Sequence, residues 1–175
     1  AKIKYRCSES NGNMGHSQIS KNTLTQVSYY KSGNAGDTAL SKCVRKTFEN
    51  NMDVNWYLQD VPNAVAERDI DIFNETKGII IGGGGLFLPD TNANLVSGWQ
   101  WAISTELLHA IAKPIIVFSV GYNFFTGQEP SRLFCDNLIE LVYKAAFVGL
   151  RNSGSISAVK SLLPKELHEK VIYQP

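Results

Sequence analysis

The chain has 175 residues, of which 43% are apolar and 19% charged, and its formal net charge is +1. This composition excludes intrinsic disorder, and a charge so close to neutral excludes a general attraction to nucleic acid or to an anionic membrane. No apolar run approaches the roughly 20 residues that span a bilayer. Cys7, Cys43 and Cys135 are too few and too widely spaced for a disulfide framework or a zinc knuckle. Reduced thiols favour a cytoplasmic location.

Residues 1–22 are polar and rich in Asn, Ser and Gly, and we interpret them as a loose leader in which only Ile3–Tyr5 hints at a strand. A strand is predicted over Leu24–Tyr30, followed by a loop and a helix. Asp37 could cap that helix, because its carboxylate can accept the free N–H groups of the first turn. One face of the helix carries residues at amphipathic spacing: Leu40, Cys43, Val44, Thr47 and Phe48.

The same alternation continues along the chain. Further strands are predicted over Val54–Val61, Gly78–Ile81, Ile115–Val120, Ala146–Leu150 and Val171–Tyr173, and further helices over Asn63–Asn74, Trp99–Ala112, Ser131–Tyr143 and Ser155–Leu163. Strands that are apolar on both faces and alternate with helices form a parallel sheet covered on both sides. We therefore predict a doubly wound, Rossmann-like α/β domain over residues 23–175. Because the chain stops directly after a strand, we expect this domain to be one half of a larger enzyme.

Ligands of an open parallel sheet bind at the carboxyl ends of the strands, so the loops that follow the strands hold the candidate site residues. In the first loop, Gly33 and Gly36 allow tight backbone turns, and the helix beyond supplies free N–H groups for an anion. Asn34 and Gly36 are candidate substrate-binding residues. Asp37 could act as a base toward a hydroxyl group, or it could only cap the helix.

Four consecutive glycines, Gly82–Gly85, follow the apolar run at 79–81. Glycine loses the most entropy on folding, so such a run needs a reason. Substrate approaching bare backbone is one, and a strained corner between strand and loop is the other. The run is not a dinucleotide fingerprint, because Phe87 or Leu88 stands where the third glycine would be. The chain also has neither a P-loop lysine nor a G-x-S-x-G elbow.

Polar residues also follow the later strands. Tyr122 and Asn123 could hold sugar hydroxyls, or Asn123 could only complete a turn. Arg151 could clamp a phosphate or carboxylate through two parallel hydrogen bonds, or it could pair with a structural carboxylate such as Asp37. Trp99 and Trp101 are expected in the core or at its rim, with stacking on a sugar ring as the alternative. The three histidines lack ligand spacing, and we expect no metal and no cofactor.

Four blocks of the sequence resemble the polysaccharide pyruvyl transferase family. The stretch Gly33–Asp37 resembles its N-x-G-D motif, and Gly78–Asp90 resembles its apolar strand with a glycine run. Lys113–Val117 with Gly121 resembles its next strand, and Val148–Ser155 is similar to its strand ending in R-D-x-x-S. The blocks match in order and spacing over residues 28–175. Two positions depart from the family pattern: Asn152 replaces the aspartate after the arginine, and Gln174 replaces the aspartate of a D-P pair.

The resemblance implies an enzyme that transfers the enolpyruvyl unit of phosphoenolpyruvate, its donor substrate, to two hydroxyls of one sugar as a ketal. It implies a GT-B-like enzyme of two Rossmann-like domains, of which this chain is the N-terminal, acceptor-side half. The C-terminal half, with most residues for phosphoenolpyruvate, is absent, so the isolated chain is expected to be inactive. The acceptor would be a sugar or a lipid-linked oligosaccharide, and the resemblance admits peripheral membrane association of the full enzyme. It does not indicate the oligomeric state.

Within this resemblance, acceptor binding falls to Gly82, Gly83, Gly84, Gly85, Tyr122 and Asn123. Asp37 would be the base or an orienting carboxylate, and Arg151 an anion-binding or structural partner. Two alternatives share these sequence features. One is half of a GT-B-like glycosyltransferase that uses nucleotide-sugars, and the other is a non-catalytic sugar-binding module.

Overall fold

The computed structural model describes residues 19–31, 33–89 and 94–175. The strands are β1 (Thr23–Ser28), β2 (Asn55–Asp60), β3 (Ile79–Phe87), β4 (Ile115–Tyr122), β5 (Phe147–Leu150) and β6 (Val171–Tyr173). The helices are α1 (Ala35–Glu49), α2 (Glu67–Glu75), α3 (Thr105–Ala110), α4 (Arg132–Lys144) and α5 (Ser153–Leu162), with a 3-10 helix over Lys165–Lys170. The strand hinted at by Ile3–Tyr5 lies outside the described residues.

The six strands form one sheet in the order β2-β1-β3-β4-β5-β6, and every neighbouring pair is parallel. This confirms the predicted Rossmann-like α/β class. The chain goes outward from β1 to β2 and then returns past β1 to build the rest of the sheet. The connections after β1 and β3 therefore diverge, and the carboxyl ends of these two strands border the crevice where ligands of such sheets bind.

The main core and α1 lie on opposite faces of β1. Val27 packs in the core with Phe73 of α2, Leu108 of α3 and Leu138 of α4. The neighbouring Gln26 is fully buried and donates from Nε2 to the carbonyl of Ser41 in α1, at 3.0 Å. Adjacent side chains of a strand point to opposite faces, so the sheet is covered on both sides at β1.

The buried face of α1 differs from the one predicted. Ser41 and Val44 are its buried residues, whereas Leu40 is 42% exposed and Cys43 is exposed. A small polar residue faces the sheet because Ser41 also exchanges a hydrogen bond with Ser28, Oγ to Oγ at 2.8 Å. Apolar periodicity cannot detect a helix that packs through such a buried polar contact.

The predicted helix Trp99–Ala112 is also shorter in the structure, since α3 begins only at Thr105. Ser97 Oγ donates to the carbonyl of Trp101 at 2.8 Å, and this local bond competes with helical hydrogen bonding. Ser104 then caps α3 by accepting from the N–H of Leu107 at 3.3 Å. Trp99 and Trp101 are 1% and 0% exposed. They are core residues, and the alternative that they stack on a sugar is wrong.

Candidate functional site

The loop after β1 places Asp37 inside the first turn of α1. Asn34 is the capping residue, because its side chain accepts from the N–H of Gly36 at 2.8 Å. Asn34, and not Asp37, therefore occupies the N-cap position. Asp37 is the acidic residue of the first turn and is partly buried, where a carboxylate is stabilised by the helix dipole.

Tyr29 follows β1 directly and faces two carboxylates. Burial, together with Asp37 and Asp60, raises the pKa of Tyr29 to about 12. Its hydroxyl donates to Oε1 of Gln100, and Nε2 of Gln100 donates to the carbonyl of Leu88 at 2.9 Å. The end of β1 is thereby joined to the segment that follows β3.

The four glycines lie within β3 itself, not in a loop beyond it, and three of them adjoin other parts of the protein. A methyl group on Gly82 would overlap the carbonyl of Phe118. Gly83 has φ +90°, and a methyl group there would lie 3.0 Å from the α1 backbone at Leu40 and Ser41. These two contacts give structural reasons for glycine that the sequence did not reveal.

The next two glycines lie closest to the predicted site residues. Gly84 has φ +139°. A methyl group on Gly84 would lie 3.8 Å from Oδ1 of Asp37, and no other described group would lie within 4 Å of it. At Gly85 a side chain would overlap Asn123 and would approach Nη2 of Arg151 at 3.7 Å. The backbone of Gly84 and Gly85 therefore separates an acidic group from a basic one.

Arg151 lies flat against bare backbone between β4 and β5. A methyl group on Gly121 would be 2.5 Å from Nε of Arg151, so a side chain there would displace the guanidinium. Nη2 of Arg151 donates to Oδ1 of Asn123 at 3.0 Å. The ion pairs among the described residues are His109–Glu140 and Arg132–Asp136, so the pairing of Arg151 with Asp37 left open by the sequence is not formed.

Tyr122 is held by an aromatic cluster. Its ring stacks on Phe124 with 4.5 Å between centroids and an interplanar angle of 18°, and burial raises the pKa of its hydroxyl. Its backbone N–H donates to Oγ of Ser155 at 3.0 Å, which ties the end of β4 to α5. Tyr122 thus supports the rim of the sheet beside Asn123.

The two departures from the family pattern have clear local surroundings. Asn152 caps α5, since its Oδ1 accepts from the N–H of Ser155 at 2.8 Å, and an aspartate would make the same bond. Gln174 donates its N–H to the carbonyl of Leu150 at 2.9 Å. Its side chain covers Gly149, where a methyl group would lie 2.6 Å from Cβ of Gln174.

The structure therefore brings Asp37, Gly84, Gly85, Asn123 and Arg151 together along one rim of the sheet. Gly82 and Gly83 adjoin Phe118 and α1, and Asn34 and Gly36 form the helix cap. The sequence did not single out Tyr29 or Asp60 as candidates, although both lie at loop-side ends of strands, where ligands bind. Among the described residues no three His, Cys, Asp or Glu side chains gather as a metal site requires.

No helix within residues 19–31, 33–89 and 94–175 has both the length and the apolar character to cross a membrane.

Comparison with known proteins identifies one family. The model of that family, described as polysaccharide pyruvyl transferase, matches residues 34–172. The match runs from the cap of α1 to the second residue of β6 and includes every rim residue named above. Neither a curated protein nor a solved structure matches the chain. The chain therefore belongs to the polysaccharide pyruvyl transferase family.

Proposed function

We propose that this chain is the acceptor-side half of an enzyme that moves pyruvate from phosphoenolpyruvate onto a sugar of a cell-surface polysaccharide as a ketal. The observation that carries the proposal is the rim on which Asp37 and Arg151 lie on either side of the bare backbone of Gly84 and Gly85. A base and a cation close to each other at one edge of the sheet are the groups that this reaction needs.

The reaction balances as follows. C2 of phosphoenolpyruvate gains bonds to two sugar oxygens and loses its bond to the phosphate oxygen, while the methylene carbon takes up a proton and becomes a methyl group. Of the two protons that the hydroxyls lose, one equals the proton added to the methylene carbon, and the other is carried away by the released phosphate. The protein must accept protons from hydroxyls and must hold two anionic groups while charge moves.

We assign the proton-accepting or orienting role to Asp37. Its carboxylate lies beside Gly84 and is one of the two charges that raise the pKa of Tyr29. Arg151 is assigned to the carboxylate or phosphate of the donor, because no carboxylate of the described chain neutralises it and Asn123 fixes its plane. A planar guanidinium presents two parallel N–H groups to either anion. Sugar hydroxyls would meet Asn123 and Tyr122, next to the partly exposed backbone of Gly85.

The proposal includes the wider setting of the reaction. A second Rossmann-like domain would supply the remaining groups for phosphoenolpyruvate, so this chain alone would not turn the donor over. The acceptor would be a sugar or a lipid-linked oligosaccharide, and the reaction would take place in the cytoplasm. No cofactor is required by the balance above.

The test is an assay of the complete gene product with phosphoenolpyruvate and a panel of saccharide acceptors, measuring phosphate release. We expect release that depends on the acceptor and needs no nucleotide. An Arg151→Lys variant should raise KM for phosphoenolpyruvate, because an ammonium cannot form the paired hydrogen bonds. Consumption of nucleotide-sugars alone would instead identify a glycosyltransferase half and refute the proposal.

A further inference from the structure

A polar pocket opens on the same edge of the sheet, where β2 ends. Its volume is about 620 Å³, which falls in the range of small-molecule sites. It is lined by Tyr30 after β1, the end of β2, the loop that follows β2 and the first turn of α2. The side chains that carry the argument are Tyr30, Tyr57, Asp60, Asn63, Arg68 and Asp69.

The pocket has hydrogen-bond acceptors and hydrogen-bond donors that the described residues leave unused. One oxygen of Asp69 accepts from the N–H of Ala66 at 2.9 Å, and Oδ1 of Asp60 accepts from the N–H of Lys31 at 3.4 Å. The second oxygen of each carboxylate accepts nothing from the described residues, and Arg68 forms no ion pair with them. Acceptors and donors therefore both remain for a ligand that offers both, as sugar hydroxyls do.

Two phenol rings complete the lining. Tyr57 is fixed by an edge contact with Phe73, 6.4 Å between centroids, and burial, Asp69 and Tyr30 raise the pKa of its hydroxyl, which stays a donor. Tyr30 carries the ammonium of Lys31 at 5.5 Å from its ring centroid. Tyrosine presents a broad apolar face with a polar tip, and this combination suits a ring with C–H faces and hydroxyl edges.

The charge of the pocket decides between classes of small ligand. Two carboxylates, Asp60 and Asp69, are balanced by the guanidinium of Arg68 and by the ammonium of Lys31 over the Tyr30 ring. A phosphate group would meet both carboxylates as well as both cations. A neutral, hydroxyl-rich ligand can bond to the donors and to the carboxylates without repulsion between like charges.

From this geometry we infer that the pocket at the end of β2 binds a neutral pyranose unit of the acceptor, next to the sugar that reacts. The inference deepens the proposed function and rests on it for the identity of the acceptor. Asp60 connects this pocket to the rim at β3 and β4. It lines the pocket, and its charge, like that of Asp37, raises the pKa of Tyr29. An acceptor chain would extend from β2 across the end of β1 to the rim at β3 and β4.

The test is a titration of the 175-residue chain with methyl glucoside, methyl galactoside, methyl mannoside and N-acetylglucosamine, followed by amide chemical shifts. We expect shifts at Tyr30, Asn63 and Arg68. Tyr30→Ala should weaken binding about tenfold or more, as loss of a central aromatic contact does. Tyr143→Ala is the matched control, because Tyr143 is an exposed tyrosine with Lys170 over its ring at 5.8 Å.

The outcomes separate this inference from the proposed function. Pocket shifts with any of the four sugars, lost in Tyr30→Ala and kept in Tyr143→Ala, support the subsite even if the complete gene product releases no phosphate from phosphoenolpyruvate. Absence of such shifts with all four sugars overturns the subsite, even if phosphate is released. Shifts with uridine monophosphate but none with the sugars also overturn it, in favour of a nucleotide site. Asp60→Asn, which keeps the side-chain shape, should also weaken binding, and circular dichroism checks that both variants fold.

Discussion

At the scale of single residues, the position of Asp37 makes a direct test of its role possible. Because Asn34 caps α1, Asp37→Asn removes a charge without removing the cap. We expect turnover by the complete enzyme to fall by about 10²- to 10⁴-fold, the usual contribution of a general base. The free energy of unfolding should change by less than about 1 kcal/mol, the value of one charge at a helix N-terminus.

The control for this variant is Asp53→Asn, an exposed aspartate just beyond the other end of α1. It should leave both turnover and stability unchanged. Unaltered turnover in Asp37→Asn would reduce Asp37 to a favourable charge in the first turn.

Gly83 gives a second prediction at this scale, about stability. Alanine there must adopt φ +90° and must push against the α1 backbone at 3.0 Å. We expect Gly83→Ala to lower the free energy of unfolding by about 2–4 kcal/mol, the sum of left-handed strain and overpacking. Urea denaturation measures this.

Gly33→Ala is the matched substitution, since nothing described lies within 4 Å of the position that its methyl group would take. It should cost less than about 0.5 kcal/mol. Equal stability of the two variants would contradict the contact between α1 and β3.

The sequence identified the glycine run but not its reasons. Four adjacent glycines stand out in any sequence, and the resemblance attached them to a family. Their neighbours, however, are Phe118, Leu40 and Asn123, which are distant in sequence and meet the glycines only in the folded chain. Local pattern therefore showed that bare backbone is needed and could not show what covers it.

At the scale of secondary-structure elements, the start of α5 explains a departure from the family pattern. Asn152 caps the helix through its side-chain oxygen, and Asn and Asp are equally good at this position. Asn152→Asp should therefore preserve stability, whereas Asn152→Ala should lower the free energy of unfolding by about 1 kcal/mol. A thermal or urea series over the three proteins measures both effects.

Loss of stability in Asn152→Asp, but not in Asn152→Ala, would show that the charge rather than the cap governs this position. The series also tests the link between α5 and the rim, because Oγ of Ser155 accepts a hydrogen bond from the backbone N–H of Tyr122.

Strands were more predictable than helices in this chain. Apolar, β-branched runs such as Ile115–Val120 predict buried parallel strands, and β4 begins at the predicted residue. The helix predicted from Trp99 was wrong at its start because Ser97 bonds to nearby carbonyls and the tryptophans are buried outside the helix. Side-chain bonds to the backbone leave no periodic signal in sequence.

At the scale of the whole molecule, the half-buried hydroxyl of Tyr29 predicts a loss of stability in alkali. Its pKa is about 12 in the fold and 10.0 without the fold. The protonated form is favoured by folding, so its contribution is complete below pH 10 and is lost as the pH rises through 12. We expect the free energy of unfolding to fall over this range, as measured by urea denaturation at several pH values.

Tyr29→Phe should reduce the slope between pH 10 and 12, at a cost of about 1 kcal/mol at neutral pH for the lost bond to Gln100. Some slope should remain, since burial also raises the pKa of Tyr57 and Tyr122. Tyr143→Phe alters an exposed ring and should leave the profile unchanged. A slope in Tyr29→Phe equal to that of the unaltered chain would assign the effect to other groups.

The fold class followed from alternation alone, but the pocket beside β2 did not. A parallel sheet requires only apolar strands and connecting helices, which the sequence displays throughout. The pocket depends on Tyr30, Tyr57 and Arg68 meeting from three elements, and strand order, which no local pattern records, decides that meeting.

The close contact between the α1 backbone and Gly83 determines how the protein responds to its substrate. At Gly83 the strand lies directly against the α1 backbone of Leu40 and Ser41, and close-packed backbone transmits displacement instead of absorbing it. The first turn of α1 and the centre of β3 should therefore shift as a single rigid body, with Asp37 held in register with Gly84. Binding of a ligand should then leave amide exchange in α1 unchanged.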